Sequence, residues 1–162
     1  MLTKPWCGWA HMTAFGTDVG PVSDIEDVPV TLLNAFISYF KERVTGNRRR
    51  PFPSLSFDTE GYTVGILEFD DRLFAADTKS GTPPYLNLRE IKDNADALTS
   101  PEEYLTVLGK ELVSDIGESL DAWTRWGYEP MSDEEYKNRK ILLLRKCNTL
   151  TEMVEAFQGC HD

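Results

Sequence analysis

The sequence predicts an α+β protein, and three observations predict it. A segment of helical period opens the ordered part of the chain, runs of period two follow it, and capped segments of helical period fill the rest. Strands grouped together and helices grouped apart mark α+β rather than alternating α/β architecture. The expected arrangement is an antiparallel meander of three to four strands, a single layer of sheet with helices packed on one face. With 162 residues, the chain is long enough to bury a core without disulfides or a metal. Residues 1–27 carry Gly, Pro, Trp and acids without periodicity and read as an irregular lead segment; residues 28–162 read as a single α+β domain. Trp6, Trp9, Phe15 and Val19 are candidates for packing onto that domain, since aromatic groups at this density are rarely all solvated.

The first helix is expected over about 28–45. Asp27 stands at its N-cap and Pro29 in its first turn, where a missing N–H costs nothing. Leu33, Phe36, Ile37, Phe40 and Val44 recur at helical steps, and Gly46-Asn47 supplies the stop. Pro51 and Pro53 lead into strands. Leu55 and Phe57 alternate with polar residues, Glu60-Gly61 turns the chain, and Tyr62 to Phe69 alternates again. Asp70-Asp71 makes a tight turn into a third strand, Arg72 to Asp77. Thr78 to Pro84 reads as a loop and Tyr85 to Leu88 as a fourth strand.

The helical half begins at Ser100-Pro101-Glu102-Glu103, a capping box with proline at the first helical position. Leu105, Leu108, Leu112, Ile116, Leu120 and Trp123 form one continuous stripe, ended by Gly127. Ser132-Asp133-Glu134-Glu135 and Thr149-Leu150-Thr151-Glu152 read as two further capping boxes. Between them, Ile141 to Leu144 fits either helix or strand, because a short apolar run does not distinguish the two. Met153, Val154 and Phe157 belong to the last helix.

Charge narrows the function. The chain holds 17 Lys and Arg against 27 Asp and Glu, a net charge of −10. That argues against nucleic-acid binding, which depends on cations neutralising phosphates. No apolar run approaches the ~18 residues of a membrane span, and Pro5, Gly8 and His11 interrupt any signal region, so a cytoplasmic protein is expected. Three widely spaced cysteines, Cys7, Cys147 and Cys160, form no disulfide framework and are expected to be reduced. Pro5-Trp6-Cys7-Gly8 has the look of a redox motif, but the resolving position is Ala10, and too little chain precedes Cys7 for the strand that motif needs. Cysteine and histidine spacing offers no zinc site, and neither cofactor nor metal is expected.

Candidate chemistry lies in the acids. Asp58, Glu60, Glu68, Asp70, Asp71 and Asp77 fall on or between strands. Asp70 or Asp71 with Asp77-Thr78-Lys79 is similar in outline to metal-dependent nucleases of the PD-(D/E)xK type, whose carboxylates hold a divalent ion. Turn aspartates explain these residues more simply. Arg48-Arg49-Arg50 could grip a phosphate or carboxylate, and otherwise suits a helix C-terminus. Lys137, Arg139, Lys140, Arg145 and Lys146 form a basic zone expected to pair with the acidic helix. From Glu90 to Glu135 there are thirteen acids against three cations. Glu111, Asp115 and Glu118 share one helix face beside the apolar stripe, broadened by Glu103, Ser114 and Asp121. Like charges at i,i+4 destabilise a helix slightly, so Glu103, Glu111, Asp115, Glu118 and Asp121 are the candidate partner-binding residues; the alternative is an ordinary solvated face that keeps the protein soluble.

In layout and charge the chain resembles the small acidic immunity proteins that bacteria make beside secreted toxins. The resemblance is one of general character, without a shared motif. It implies an inhibitor rather than an enzyme, and a partner that is a basic toxin domain, such as a nuclease. The rival expectations are a metal-dependent enzyme using the strand-region carboxylates and an adaptor protein.

Overall fold

The computed structural model describes residues 1–46, 50–79, 85–93, 97–127 and 130–160. The first surprise is at the N-terminus. The segment expected to be irregular is a β-hairpin, β1 (Trp9–Ala14) and β2 (Thr17–Ser23), joined through Phe15 and Gly16. Both turn residues have positive φ, 51° and 76°, as a type I′ turn requires. Met12, Ala14, Val19 and Val22 are fully buried. Residues 1–27 therefore build part of the core, and a two-stranded sheet joins the single layer that was expected.

Helix α1 (Val28–Val44) follows, with Pro29 in its first turn. Asp27 occupies the N-cap position but makes no capping bond. Its carboxylate instead accepts both Nη groups of Arg139, at 2.7 and 2.8 Å. The buried face of α1 is Leu32, Leu33, Phe36, Tyr39 and Phe40, with Ile37 and Val44 only partly covered. The meander then runs β3 (Leu55–Thr59), β4 (Tyr62–Phe69), β5 (Arg72–Lys79) and β6 (Tyr85–Glu90), all antiparallel in the order β3-β4-β5-β6. Thr78 and Lys79, expected in a loop, continue β5 because they pair with Thr63 and Tyr62.

Cross-strand partners share a face, so Phe57, Val64, Ile66, Leu73, Ala75 and Asp77 make one inner face, and all are buried. Strand β2 lies against β3, β4 and β5 on this side. At the contact, a Cβ on Gly20 would stand 2.7 Å from Val64 Cγ1, and Gly20 has φ +133°. Only glycine meets both conditions. Phe52 continues the inner layer toward α1, its ring 5.0 Å from that of Phe36.

Helix α2 (Pro101–Glu118) starts at the predicted capping box, with both reciprocal bonds formed. The stripe expected to be continuous is broken at Ser119, after which the short α3 (Leu120–Thr124) carries Trp123 into the core. Helix α4 (Asp133–Gly159) also starts at its predicted box, then runs unbroken for 27 residues. Ile141 to Leu144 is therefore helix. Thr149 to Glu152 is no start signal, because the hydroxyls of Thr149 and Thr151 donate to the carbonyls four residues back, at 2.9 and 3.0 Å. The buried line Arg139, Leu143, Cys147, Leu150, Val154 and Phe157 steps by threes and fours. Helix α4 packs mainly on α1, and also on α2 and α3.

Candidate docking site

Of the five acids predicted to bind a partner, Glu111, Asp115 and Glu118 lie along the second half of α2, while Glu103 and Asp121 stand at its start and on α3. Glu103 closes the α2 capping box, accepting from Thr99 N at 2.6 Å and Ser100 N at 3.0 Å. These bonds, Thr99 first, hold its carboxyl below the ordinary range. Glu118 lies about 22 Å further along the helix axis and accepts from Ser114 Oγ at 3.1 Å. Between them, Asp115 and Glu111 receive the α-amino group of Met1, at 2.7 and 3.3 Å. Asp115 also accepts from Leu2 N at 2.7 Å. Asp121 sits beyond the Ser119 break, on α3. It accepts from Lys140 Nζ at 2.7 Å and Tyr136 Oη at 2.5 Å, and these bonds lower its pKa, Lys140 contributing most. All five carboxylates thus have partners within the chain, and several of those contacts tie α2 and α3 to other elements.

The basic zone divides differently from the expected pairing. Lys140 does meet Asp121, but Arg139 turns to Asp27 and Lys146 to Asn34 Oδ1, at 2.5 Å. Of the arginine triplet, Arg50 pairs with Glu42 at 3.2 Å, while Arg48 and Arg49 lie outside the described residues.

The strand-region acids are also dispersed. Asp58 accepts from Thr63 Oγ1 on the outer face of the sheet, and Asp70 and Asp71 form the β4–β5 turn with φ of 51° and 55°. Asp77 is buried on the inner face, paired with Arg89 and with Asn87 Nδ2. Among the described residues, no group of three or more His, Cys, Asp or Glu side chains could hold a metal ion. Glu68 stands apart, at the rim of a cleft of about 660 Å³ also lined by Arg43, Phe69 and Glu102. Burial pushes its carboxyl above the ordinary range, against a hydrogen bond from Phe52 N at 2.6 Å. Arg43 stacks 3.4 Å over the Tyr39 ring. It donates to Arg50 O at 2.9 Å and to Glu102 at 3.3 Å, so its guanidinium is already occupied.

One exposed group has the chemistry of a docking site, and it lies in the lead segment. Trp6 and Trp9 exchange backbone hydrogen bonds of 2.8 and 3.0 Å, closing a two-residue turn at Cys7 and Gly8. Both central φ values are positive, 48° and 76°, and a Cβ on Gly8 would stand 2.8 Å from Asp24 Oδ2. The turn holds Trp6 out into solvent at 79% exposure; Ile25, next in the chain to Asp24, is 60% exposed. Of the two tryptophans that are candidates for packing onto the domain, Trp6 stands clear of it and Trp9 is 37% exposed. Below the turn is a cleft of about 440 Å³, lined by Trp6, Cys7, Asp24, Arg125 and Trp126. Its floor is rigid: Trp126 is buried against Trp123, and its Nε1 donates to Glu26 O at 2.9 Å. Arg125 is held 4.7 Å over the Tyr136 ring. Cys7 is exposed on this turn, whereas burial pushes the Cys147 thiol up to about 11; all three cysteines are free.

No protein family matches the chain, and comparison with curated proteins and with solved structures likewise finds no match.

Proposed function

We propose that this chain is a binding protein that docks a basic protein partner through the Trp6 turn, and that it acts as an inhibitor of the toxin-immunity kind. The observation that carries the reading is the Trp6 side chain, 79% exposed and held on a tight turn beside a cleft containing Arg125. Leaving an indole in water forgoes roughly 2–3 kcal/mol of burial. Tryptophan and arginine are the residues most often found at the energetic centre of protein interfaces. The net charge of −10 supplies the second half of the reading. A diffuse acidic field speeds encounter with a basic surface, and a desolvated aromatic anchor then slows dissociation. On this division, Glu118 and the exposed edge of Glu111 act on association rate, while Trp6 acts on residence time.

The test places a photo-crosslinking residue at position 6 and, in a separate chain, at position 114 on the α2 surface, in cells of the source organism. Position 6 is expected to capture one discrete basic protein. Kinetics with that purified protein should then show Trp6→Ala raising Kd at least tenfold, about 1.4 kcal/mol, almost wholly through faster dissociation. Capture from position 114 alone would move the site to the acidic helix face, and capture from neither would remove the reading.

A further inference from the structure

We propose that β6 is a self-association edge: two copies of the chain pair their β6 strands antiparallel about a two-fold axis at Asn87, joining two four-stranded sheets into one of eight strands. This is independent of the docking reading above. The two edges of the sheet are unlike each other. On β3, Asp58 N donates to Glu26 Oε1 at 2.9 Å and Asp58 O accepts from Ser23 Oγ at 3.5 Å, so that edge is capped by neighbouring side chains. Strand β6 has a hydrogen-bonded neighbour on one side only, and among the described residues no backbone group pairs with its outward N–H and C=O groups. An open edge of this kind is a template for another strand unless charge, proline or a bulge blunts it.

The residues of β6 are sorted by face. Asn87 and Arg89 point inward to Asp77, and Arg89 also reaches Asp18 O at 2.9 Å. Leu86 and Leu88 point outward, 58% and 44% exposed. Antiparallel pairing across a perpendicular two-fold must match residues of the same face, so the axis falls on a residue rather than between two. With the axis at Asn87, Leu86 of each copy meets Leu88 of the other, giving two leucine pairs on the outer face. With the axis at Leu88, Leu86 would meet Glu90. The first register is therefore favoured, because cross-strand apolar pairs stabilise a ladder. It also sets no like charges opposite each other, since Arg89 meets position 85. The occupant is a second copy because the same five residues, 85–89, supply both halves of the match, with Leu86 and Leu88 placed symmetrically about Asn87. A ladder of five residues is about 17 Å long and buries less than the ~1,200 Å² of a stable interface. The dimer is accordingly weak, with Kd on the order of 10–100 μM.

Sedimentation equilibrium from about 5 to 500 μM tests the association. The wild-type chain is expected to shift from monomer to dimer across that range. Leu88→Lys, at an exposed position, is expected to raise Kd at least tenfold with an unchanged melting temperature. Register is tested in a Cys7→Ser, Cys160→Ser background by mixing a Leu86→Cys chain with a Leu88→Cys chain under a glutathione redox buffer. Neighbouring Cα atoms in such a ladder lie about 4.5–5.5 Å apart, within disulfide reach. The mixed 86–88 species should form at least tenfold faster than either like-with-like species. A chain monomeric at every concentration, a dimer indifferent to Leu88→Lys, or faster like-with-like linkage would each overturn the proposal.

Discussion

The β1–β2 hairpin and the β3–β6 meander are both antiparallel, and the hairpin turn and the β3–β4 and β4–β5 turns all use positive φ, yet the two units stand in opposite relations to water. Strand β2 is enclosed on two sides: Val19 and Gly20 are both buried, as are Val22 and Ser23. Its neighbours on one side are β3, β4 and β5. Toward the helices, Phe15 places its ring 5.0 Å from Tyr104 of α2, and Leu2 N donates to Asp115. The meander is enclosed on one side only. Phe57, Val64 and Ile66 are buried, while Phe69, Leu86 and Leu88 on the outer face are open. A strand covered on both faces is intolerant everywhere along its length, whereas a half-covered sheet confines intolerance to alternate residues.

Truncation of a buried aromatic aside, the largest effect should therefore come from the seam between the two units. Gly20→Ala adds a Cβ 2.7 Å from Val64 Cγ1, at a φ of +133° that an L side chain rarely adopts. Overpacking and backbone strain each cost about 1–3 kcal/mol, and together they should lower stability by about 3 kcal/mol. Gly61→Ala is the control: φ is +139° but nothing lies within 4 Å, so strain acts alone, about 1–2 kcal/mol. Urea midpoints of the two variants measure the difference. Equal losses would mean the hairpin does not seat tightly on the sheet.

The same contrast explains what could be read in the sequence. The meander was legible because one wet face makes apolar and polar residues alternate, as in Leu55-Ser56-Phe57-Asp58. The turns and the two capping boxes were legible because they are local chemistry. Strand β2 was not, because a strand buried on both faces loses its alternation, although β1 keeps it at Ala10, Met12 and Ala14. Thr17 to Ser23 also spends two of its seven positions on Gly20 and Pro21. One cue was present in Phe15-Gly16 and Cys7-Gly8, since glycine as the second of two turn residues suits a type I′ hairpin. The continuous α2 stripe was misread for a similar reason: Leu120 and Trp123 keep helical spacing across a break that periodicity alone does not reveal. The acidic residues were correctly seen as clustered along the chain. What sequence could not supply is their partners, such as the Met1 amino group for Asp115 or Lys140 for Asp121, which arrive from distant positions. Trp6 is only a candidate for packing in the sequence, because composition records an aromatic residue and not the direction a turn points it.

An intermediate effect is expected where the inner face of the meander passes out from under the hairpin, at Glu68. Burial raises this carboxyl above its ordinary range. Between the ordinary glutamate value and that raised value, the folded chain holds a proton that the unfolded chain releases. The stabilisation linked to that proton is complete below the unfolded value and is lost as pH rises through the folded one. Glu68→Gln removes the titration and keeps an acceptor for Phe52 N. The variant should melt at a higher temperature than wild type at pH 7, with the difference vanishing near pH 4. Glu103 works in the opposite sense. Its lowered value makes its contribution present above the unfolded pKa and lost as pH falls through the folded one, so Glu103→Gln should penalise the fold at pH 7 and converge with wild type in acid. Parallel pH profiles for wild type and Glu68→Gln would mean that the Glu68 carboxyl is solvated like any exposed acid.

The smallest effect should come from the outer face of the meander. Phe69 and Phe57 lie on adjacent strands of one sheet, but Phe69 is 67% exposed beside the Asp70-Asp71 turn and Phe57 is fully buried on the inner face. Truncating a buried phenylalanine typically costs about 3–5 kcal/mol, from lost transfer energy and from the cavity left behind. An exposed side chain loses neither, so Phe69→Ser should change stability by less than about 0.5 kcal/mol, against a loss of several for Phe57→Ala. The Asp70-Asp71 turn supports this expectation, because its geometry rests on two backbone conformations at positive φ, and aspartate tolerates that region without help from a neighbouring ring. Phe69 also lies outside β6, so the substitution should leave the monomer–dimer equilibrium unchanged. A measured loss above about 1 kcal/mol would show that the outer face is not free, and that Phe69 packs on a part of the chain or on a second molecule in a way its exposure here does not register.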